Sequence, residues 1–139
     1  MADPAFRDGF RRLADHGLLL DLQTPWWHLH EAIEMATHAP EVKIVLNHAG
    51  LPSDRSSEGL DGWRKAMVDF AALPQAYVKV SGIGIPDRAM FASNFPVDGL
   101  CGSFETIFSG FAEATKDKSK NDRERLFRRT AEQVYGLDR

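Results

Sequence analysis

The sequence predicts an α/β fold in which a parallel sheet is covered by helices. Three observations point there. Short, almost continuously apolar runs occur at Leu18–Leu22, Val42–Leu46, Tyr77–Val80 and Ala89–Ala92. Stretches with apolar residues three and four apart, the spacing of one helix face, accompany them. The resulting order is helix, strand–helix twice, then strand, strand, helix, helix. Strands that are apolar on both faces are those of parallel sheets buried under helices.

Each element has its own justification. Asp3-Pro4 starts a helix, with Asp as N-cap and Pro in the first turn. Phe6, Phe10 and Leu13 form its apolar face, and His16-Gly17 end it. Leu18 to Leu22 reads as a strand. From Trp27 the pattern turns helical, with Leu29, Ile33 and Ala36 on one side and Pro40 closing it. Val42 to Leu46 is the next strand, ending in Asn47-His48-Ala49-Gly50. The stretch "GLPSDRSSEGLDGW" has the composition of a long loop. Trp63, Met67 and Phe70 mark a helix that ends near Leu73-Pro74. Strands follow at Tyr77–Val80 and Ala89–Ala92. Ser103 can cap a helix carrying Ile107, Phe108 and Phe111. "KDKSKND" is a solvated turn, and Asn121 before Glu124 resembles a capping box. The last helix carries Leu126, Phe127, Thr130, Val134 and Tyr135, and Gly136 suits its end.

One unit is irregular. Only "SGIGIPDRA" separates Val80 from Met90. A parallel crossover needs at least ~10 residues and normally a helix. Either these strands are not parallel neighbours or a helix is missing.

With 139 residues, a single domain over 1–139 is expected. Apolar content of 43% and charged content of 27% argue against general disorder. A net charge of −3 gives no electrostatic reason to expect nucleic acid or an anionic membrane as partner. The single cysteine, Cys101, excludes an intrachain disulfide framework and a cysteine-based zinc site, and points to a cytoplasmic setting. No apolar run reaches the ~18 residues that span a bilayer, and the N-terminus lacks a signal-peptide pattern.

In α/β sheets, sites form at the C-terminal ends of the strands. Four such ends carry Asp21-Leu22-Gln23, Asn47-His48, Lys79-Val80-Ser81 and Ser93-Asn94. That set suits acid–base chemistry or polarisation of a carbonyl. Every member also has a plainer reading. His48 can cap a turn, Lys79 can extend to solvent, Asn94 can turn the chain before Pro96, and Asp21 and Gln23 can bond backbone. Arg55 either binds a substrate carboxylate or is solvated. Trp26-Trp27 either wall a pocket or pack in the core. His28 and His30 form an H-x-H triplet; on a helix they point about 200° apart and cannot share an ion, whereas in an extended segment they could.

Taken together, "GLLLDLQTPWWHLHEA", "KIVLNHAGLPSDRSSEGLDGWRKAM", "YVKVSGIG", "RAMFASNFPVDGLCGSFETI" and "ERLFRRTAEQVYGL" resemble the C-terminal half of the amidohydrolase-related family, the amidohydrolase 2 branch of the metal-dependent hydrolases. The resemblance implies a (β/α)8 barrel. This chain would supply a partial TIM-type barrel, about four parallel strands with flanking helices, matching the fifth to eighth strands. It implies hydrolysis of a lactone or amide in a small-molecule substrate by an activated water. His48 matches the family's sixth-strand histidine. Asn94 falls where an eighth-strand aspartate is usual, and Gln23 lies near the fifth-strand end. The first-strand H-x-H is absent, the Asn94 amide does not titrate, and Gln23 is a poor zinc ligand. No cofactor is therefore expected, and a divalent metal such as zinc is disfavoured; lactonases of this branch can work without one. His48 and Asn94 are the expected catalytic residues, with Gln23, Arg55, Lys79 and Trp26 on the substrate. The chain alone would be incomplete, its four strands leaving two edges unpaired. A homodimer or a missing N-terminal half would complete it. The competing expectation is a non-catalytic half-barrel binding or assembly module, or a truncated gene product.

Overall fold

The computed structural model describes residues 1–80, 88–100 and 102–137. The chain divides into two compact units, Met1–Tyr77 and Val78–Arg139. Its four strands form one sheet in the order β1-β2-β3-β4: β1 Leu20–Leu22, β2 Ile44–Leu46, β3 Ala76–Val80 and β4 Ala89–Phe91. The family-like α/β architecture expected from the sequence is what the structure shows.

The first unit opens with α1, Pro4–Arg12. The Asp3 side chain accepts from the Ala5 and Phe6 N–H groups, and Pro4 occupies the first turn, where its missing N–H costs nothing. A 3-10 turn at Ala14–His16 closes on Gly17, whose φ of 62° is open to a residue without Cβ. β1 then leads through a second 3-10 turn, Trp26–His28, into α2, Leu29–Thr37. β2 and α3, Ser57–Ala71, complete the unit up to the first residues of β3. β1 and β2 are parallel, Leu20 opposite Ile44 and Leu22 opposite Leu46. The Ile44 N–H donates to the Gln75 carbonyl at 3.1 Å, which places the start of β3 on the other side of β2.

β2 is therefore the covered centre of this unit, and Ile44, Val45 and Leu46 are wholly buried with Leu29, Met35, Val42 and Phe70. Each such side chain contributes about 1.5–3 kcal/mol by leaving water. At the periphery an ionic clamp joins α1 to α2. Arg7 donates to Glu34 at 2.9 Å and to the Met1 carbonyl at 3.0 Å, and the Met1 amine pairs with Glu31 at 3.1 Å.

In the second unit β3 and β4 are parallel, Val78 opposite Ala89 and Lys79 opposite Met90. Helix α4, Phe104–Ala114, is capped by Ser103, as its sequence suggests. The last helical stretch comprises α5, Lys120–Glu124, a π turn at Arg125–Arg129 and α6, Thr130–Tyr135. Phe91 of β4 stacks on Phe111 of α4 with ring centroids 4.4 Å apart, and its ring meets Phe127 edge-on at 4.8 Å. This cluster ties the helices to the strand.

Several expectations are corrected. β3 and β4 are parallel neighbours despite their short connection, so the first explanation for its shortness falls; residues 81–87 of that connection lie outside the described residues. Residues 57–62 belong to α3 rather than to a loop. Ser56 accepts the Gly59 N–H at 3.0 Å and starts the helix, and the two glycines hid this in the composition. The C-terminal helix is capped by Ser119, which accepts from Asp122, rather than by Asn121. Leu18 is 57% exposed and precedes β1, which is shorter than its apolar run. Among the described residues no helix is long and apolar enough to cross a membrane.

Candidate functional site

β2 ends in extended backbone at Leu46 and passes at once into an unusual turn. His48 has φ 53° and ψ 31°, Ala49 φ 50° and ψ 32°, Gly50 φ 72° and Leu51 φ 52°. Four successive residues thus lie in the left-handed region, and three of them carry a Cβ. Sterics oppose this conformation by roughly 1–2 kcal/mol for each such residue. A strained turn persists only where its surroundings over-determine it, and strain of this kind gathers at functional sites.

The surroundings can be named. The Leu51 N–H closes the turn on the His48 carbonyl at 2.9 Å, and the Ser53 N–H donates to the Leu51 carbonyl at 2.8 Å. The Trp63 indole N–H, from α3, donates to the Ala49 carbonyl at 2.8 Å. Ala49 and Gly50 are buried, and Gly50 lies against Trp26, whose Cα and Cβ are 3.5 Å from where a Cβ would stand on Gly50. The Trp26 indole in turn rests on Gly62 of α3. A Cβ there would come within 2.6 Å of the ring, closer than atoms approach, so only glycine provides this seat. Adjacent residues of α3 therefore hold both sides of the turn. His48 itself is half-buried at the end of β2.

The other candidates of the first unit differ in how enclosed they are. Gln23 is exposed just past β1. Trp26 is half-buried, and its Nε1 is shielded from solvent without a hydrogen bond among the described residues. Arg55 is exposed on the segment before α3. Beside it, Asp54 accepts the Ser56 N–H at 2.9 Å, and the Ser56 backbone and side chain hold its carboxyl below the usual range. Asp54 also lies over Gly59, where a Cβ would sit 2.4 Å from the carboxyl carbon.

Two candidates lie in the second unit. Asn94 is exposed beyond β4, and its backbone is closed by Asp98: the Asn94 N–H donates to Asp98 Oδ2 at 2.7 Å, and the Asp98 N–H returns to the Asn94 carbonyl at 3.2 Å. The Phe95–Pro96 peptide within this loop is cis. Lys79 has its ammonium over the Tyr135 ring of α6, 5.3 Å from the centroid. That cation–π contact gives Lys79 a partner on a helix.

The H-x-H triplet is not a ligand pair. His28 meets Glu31 at 2.9 Å and His30 meets the Trp27 carbonyl at 3.0 Å, both on the surface. Among the described residues no three His, Cys, Asp or Glu side chains gather as a metal would require. Among the described residues His48 is the single imidazole at a strand end, and the amides of Gln23 and Asn94 are poor ligands for a divalent metal.

Sequence reasoning did not single out Gly62, nor Trp63 as more than a helix marker. The signal was present as "HAG" followed by "DGW", a turn with a glycine and a helix with an adjacent glycine and indole. Their meeting is a tertiary fact.

Comparison with known proteins places this geometry. A family model described as amidohydrolase matches residues 2–137. The uncharacterized protein y4mH of Sinorhizobium fredii is 38% identical over 95% of this chain and 52% of its own length. The L-fucono-1,5-lactonase of Burkholderia ambifaria is 26% identical over 99% of this chain and 56% of its own. Crystal structures of an amidohydrolase from Burkholderia multivorans, one with bound HEPES and one with bound zinc, superpose with a TM-score of 0.87, at 24% and 23% identity, over 96% of this chain and 58% of theirs. The chain thus spans little more than half the length of these relatives.

Proposed function

Because the chain belongs to the amidohydrolase family, we propose that it contributes His48 to the hydrolysis of a lactone or amide carbonyl. The neutral imidazole accepts a proton from water as the oxygen adds to the carbonyl carbon. The imidazolium then returns that proton to the departing alkoxide or amine. A side-chain amide cannot exchange protons at neutral pH, so Asn94 and Gln23 are assigned to orienting water and substrate through N–H donation and carbonyl acceptance. Arg55, exposed, is assigned to a substrate carboxylate. Trp26 shapes the floor beside the turn. Lys79, whose ammonium lies over the Tyr135 ring, is assigned to substrate contact. The likeness to a sugar lactonase favours lactones over amides.

The observation that carries this reading is the placement of a half-buried histidine directly after a buried parallel strand, on a turn held in an unfavourable conformation. The test is a panel of sugar-acid lactones followed by acid release. The protein should hydrolyse at least one, and His48→Ala should lower kcat by at least ~10²-fold. Wild-type turnover in His48→Ala would end the proposal.

A second observation bears on assembly. Ala5, Phe6, Gly9, Phe10, Leu13 and Leu20 line an apolar groove of about 380 Å³ on the first unit, and Phe6 is 47% exposed. Apolar surface of this kind favours a covering chain. We propose that a second copy or a missing half-barrel covers it. A monomer by light scattering at micromolar concentration, binding no hydrophobic dye, would contradict this.

A further inference from the structure

The turn that carries His48 is not self-supporting. Its last bond runs from the Leu51 N–H to the His48 carbonyl, and three of its four left-handed residues would be more stable elsewhere in φ/ψ space. Ala49 is the most enclosed of the three, buried at 7% exposure, so its carbonyl must find a partner away from water. That partner is a side chain, the Trp63 indole, at 2.8 Å and fourteen residues downstream. An indole N–H is a donor only and has few rotamers, so it fixes a position better than a flexible side chain would. The adjoining Gly62 lies against the Trp26 ring, so this part of α3 sits close to Trp26.

We propose that Trp63 is a positioning residue for His48: its bond to the Ala49 carbonyl selects the left-handed turn over the right-handed alternatives, and so sets where the imidazole is presented. The proposal deepens the assignment of His48 and rests on it for its catalytic meaning, while its structural half stands apart. The conformational consequence is specific. Without the indole donor, Ala49 loses the partner that offsets its steric cost, and residues 48–51 should sample negative φ. A glycine at 49 has no Cβ and accepts positive φ freely, so it should restore the turn even when the donor is missing.

The experiment uses Trp63→Phe, which keeps an aromatic ring and removes the N–H, alone and combined with Ala49→Gly. The first readout is NMR: the HN–Hα couplings and Cα shifts of His48 and Ala49 report the sign of φ. In Trp63→Phe both should move away from left-handed values, and in the double variant they should return. The second readout is lactone turnover. Trp63→Phe should lower kcat about tenfold or more with little change in KM, and Ala49→Gly should recover most of it. Unaltered couplings in Trp63→Phe would overturn the proposal, as would an altered turn that Ala49→Gly does not rescue. Lost turnover with unaltered couplings would assign Trp63 to substrate contact instead and would equally overturn it. If Trp63→Phe does not fold, hydrogen exchange in the wild-type protein decides: the Trp63 indole proton should exchange far more slowly than that of exposed Trp27, and equal rates would refute the bond. If His48→Ala keeps full activity while the turn still depends on Trp63, the assignment of His48 fails and the positioning bond survives.

Discussion

The segments after β2 and after β4 carry the two expected catalytic residues, and they are held by different means. After β2 the chain adopts a left-handed turn that its own sequence opposes, and α3 braces it with an indole hydrogen bond and a glycine seat for Trp26. After β4 the chain folds on itself, and Asp98 closes the backbone around Asn94 through two local bonds. Its apolar neighbours Val97 and Leu100 are exposed, Leu100 at 90%. A site residue held by distant side chains inherits the rigidity of the core, whereas one held by its own loop keeps only local order. The comparison shows two ways to hold a residue just past a strand, by a brace from a neighbouring helix or by bonds within its own loop.

Mutations can break this contrast. The largest effect is expected at the two site residues. His48→Ala should cost at least ~10²-fold in kcat, while Asn94→Ala, which removes an orienting amide and no proton carrier, should cost less and fall partly on KM. Equal losses measured by steady-state kinetics would erase the distinction. Next is Gly62→Ala. Its Cβ would meet the rigid Trp26 ring at 2.6 Å, and overpacking of this kind costs about 1–3 kcal/mol. Gly110→Ala in α4 is the control: nothing lies within 4 Å of its Cβ, so urea denaturation should find it more stable by about 0.5–1 kcal/mol. A smaller effect follows at the second loop. Asp98→Ala removes the acceptor of the Asn94 N–H and should cost about 1 kcal/mol, with the change in hydrogen exchange confined to residues near 94–98.

The smallest predicted effect is one of pH, and it sharpens the contrast at the far edge of the first unit. The hydrogen bonds from His28 and then the N-terminal amine hold the Glu31 carboxyl below its ordinary range, and the bond from Arg7 does the same for Glu34. A carboxyl with a lowered folded-state pKa stabilises the fold above its unfolded value. That contribution is lost as pH falls through the folded value. Glu34 is exposed and Glu31 half-buried at the surface, so the loss should be modest and salt-sensitive. Acidification from neutrality to below about pH 4 should loosen α1 before β2, read as earlier amide exchange in residues 4–12.

Much of this was legible from local rules. Asp3-Pro4 and Ser103 announced their helices because a cap needs only the side chain and the backbone two or three residues on. β2 and β4 announced themselves because burial on both faces leaves no polar position, and Val45 and Phe91 are buried as expected. His48 and Asn94 were found as strand-end residues by the same reasoning. The start of α3 was missed because Gly59 and Gly62 lower helix propensity for reasons that lie outside the helix: one makes room for Asp54 and the other for Trp26. Lys79 read equally as a site residue or a solvated one, and its place over Tyr135 could not be anticipated from alternation within β3.

The sequence by itself determined the family, the alternation of strand and helix, the caps and the residues delivered at the strand ends. These depend on periodicity and on bonds that close within a few positions. Tertiary structure alone decided that His48 and its neighbours would run left-handed, because local sterics favour the opposite hand. The indole donor from Trp63 and the tryptophan seated on Gly62 reach that turn from distant parts of the chain, which no local pattern announces.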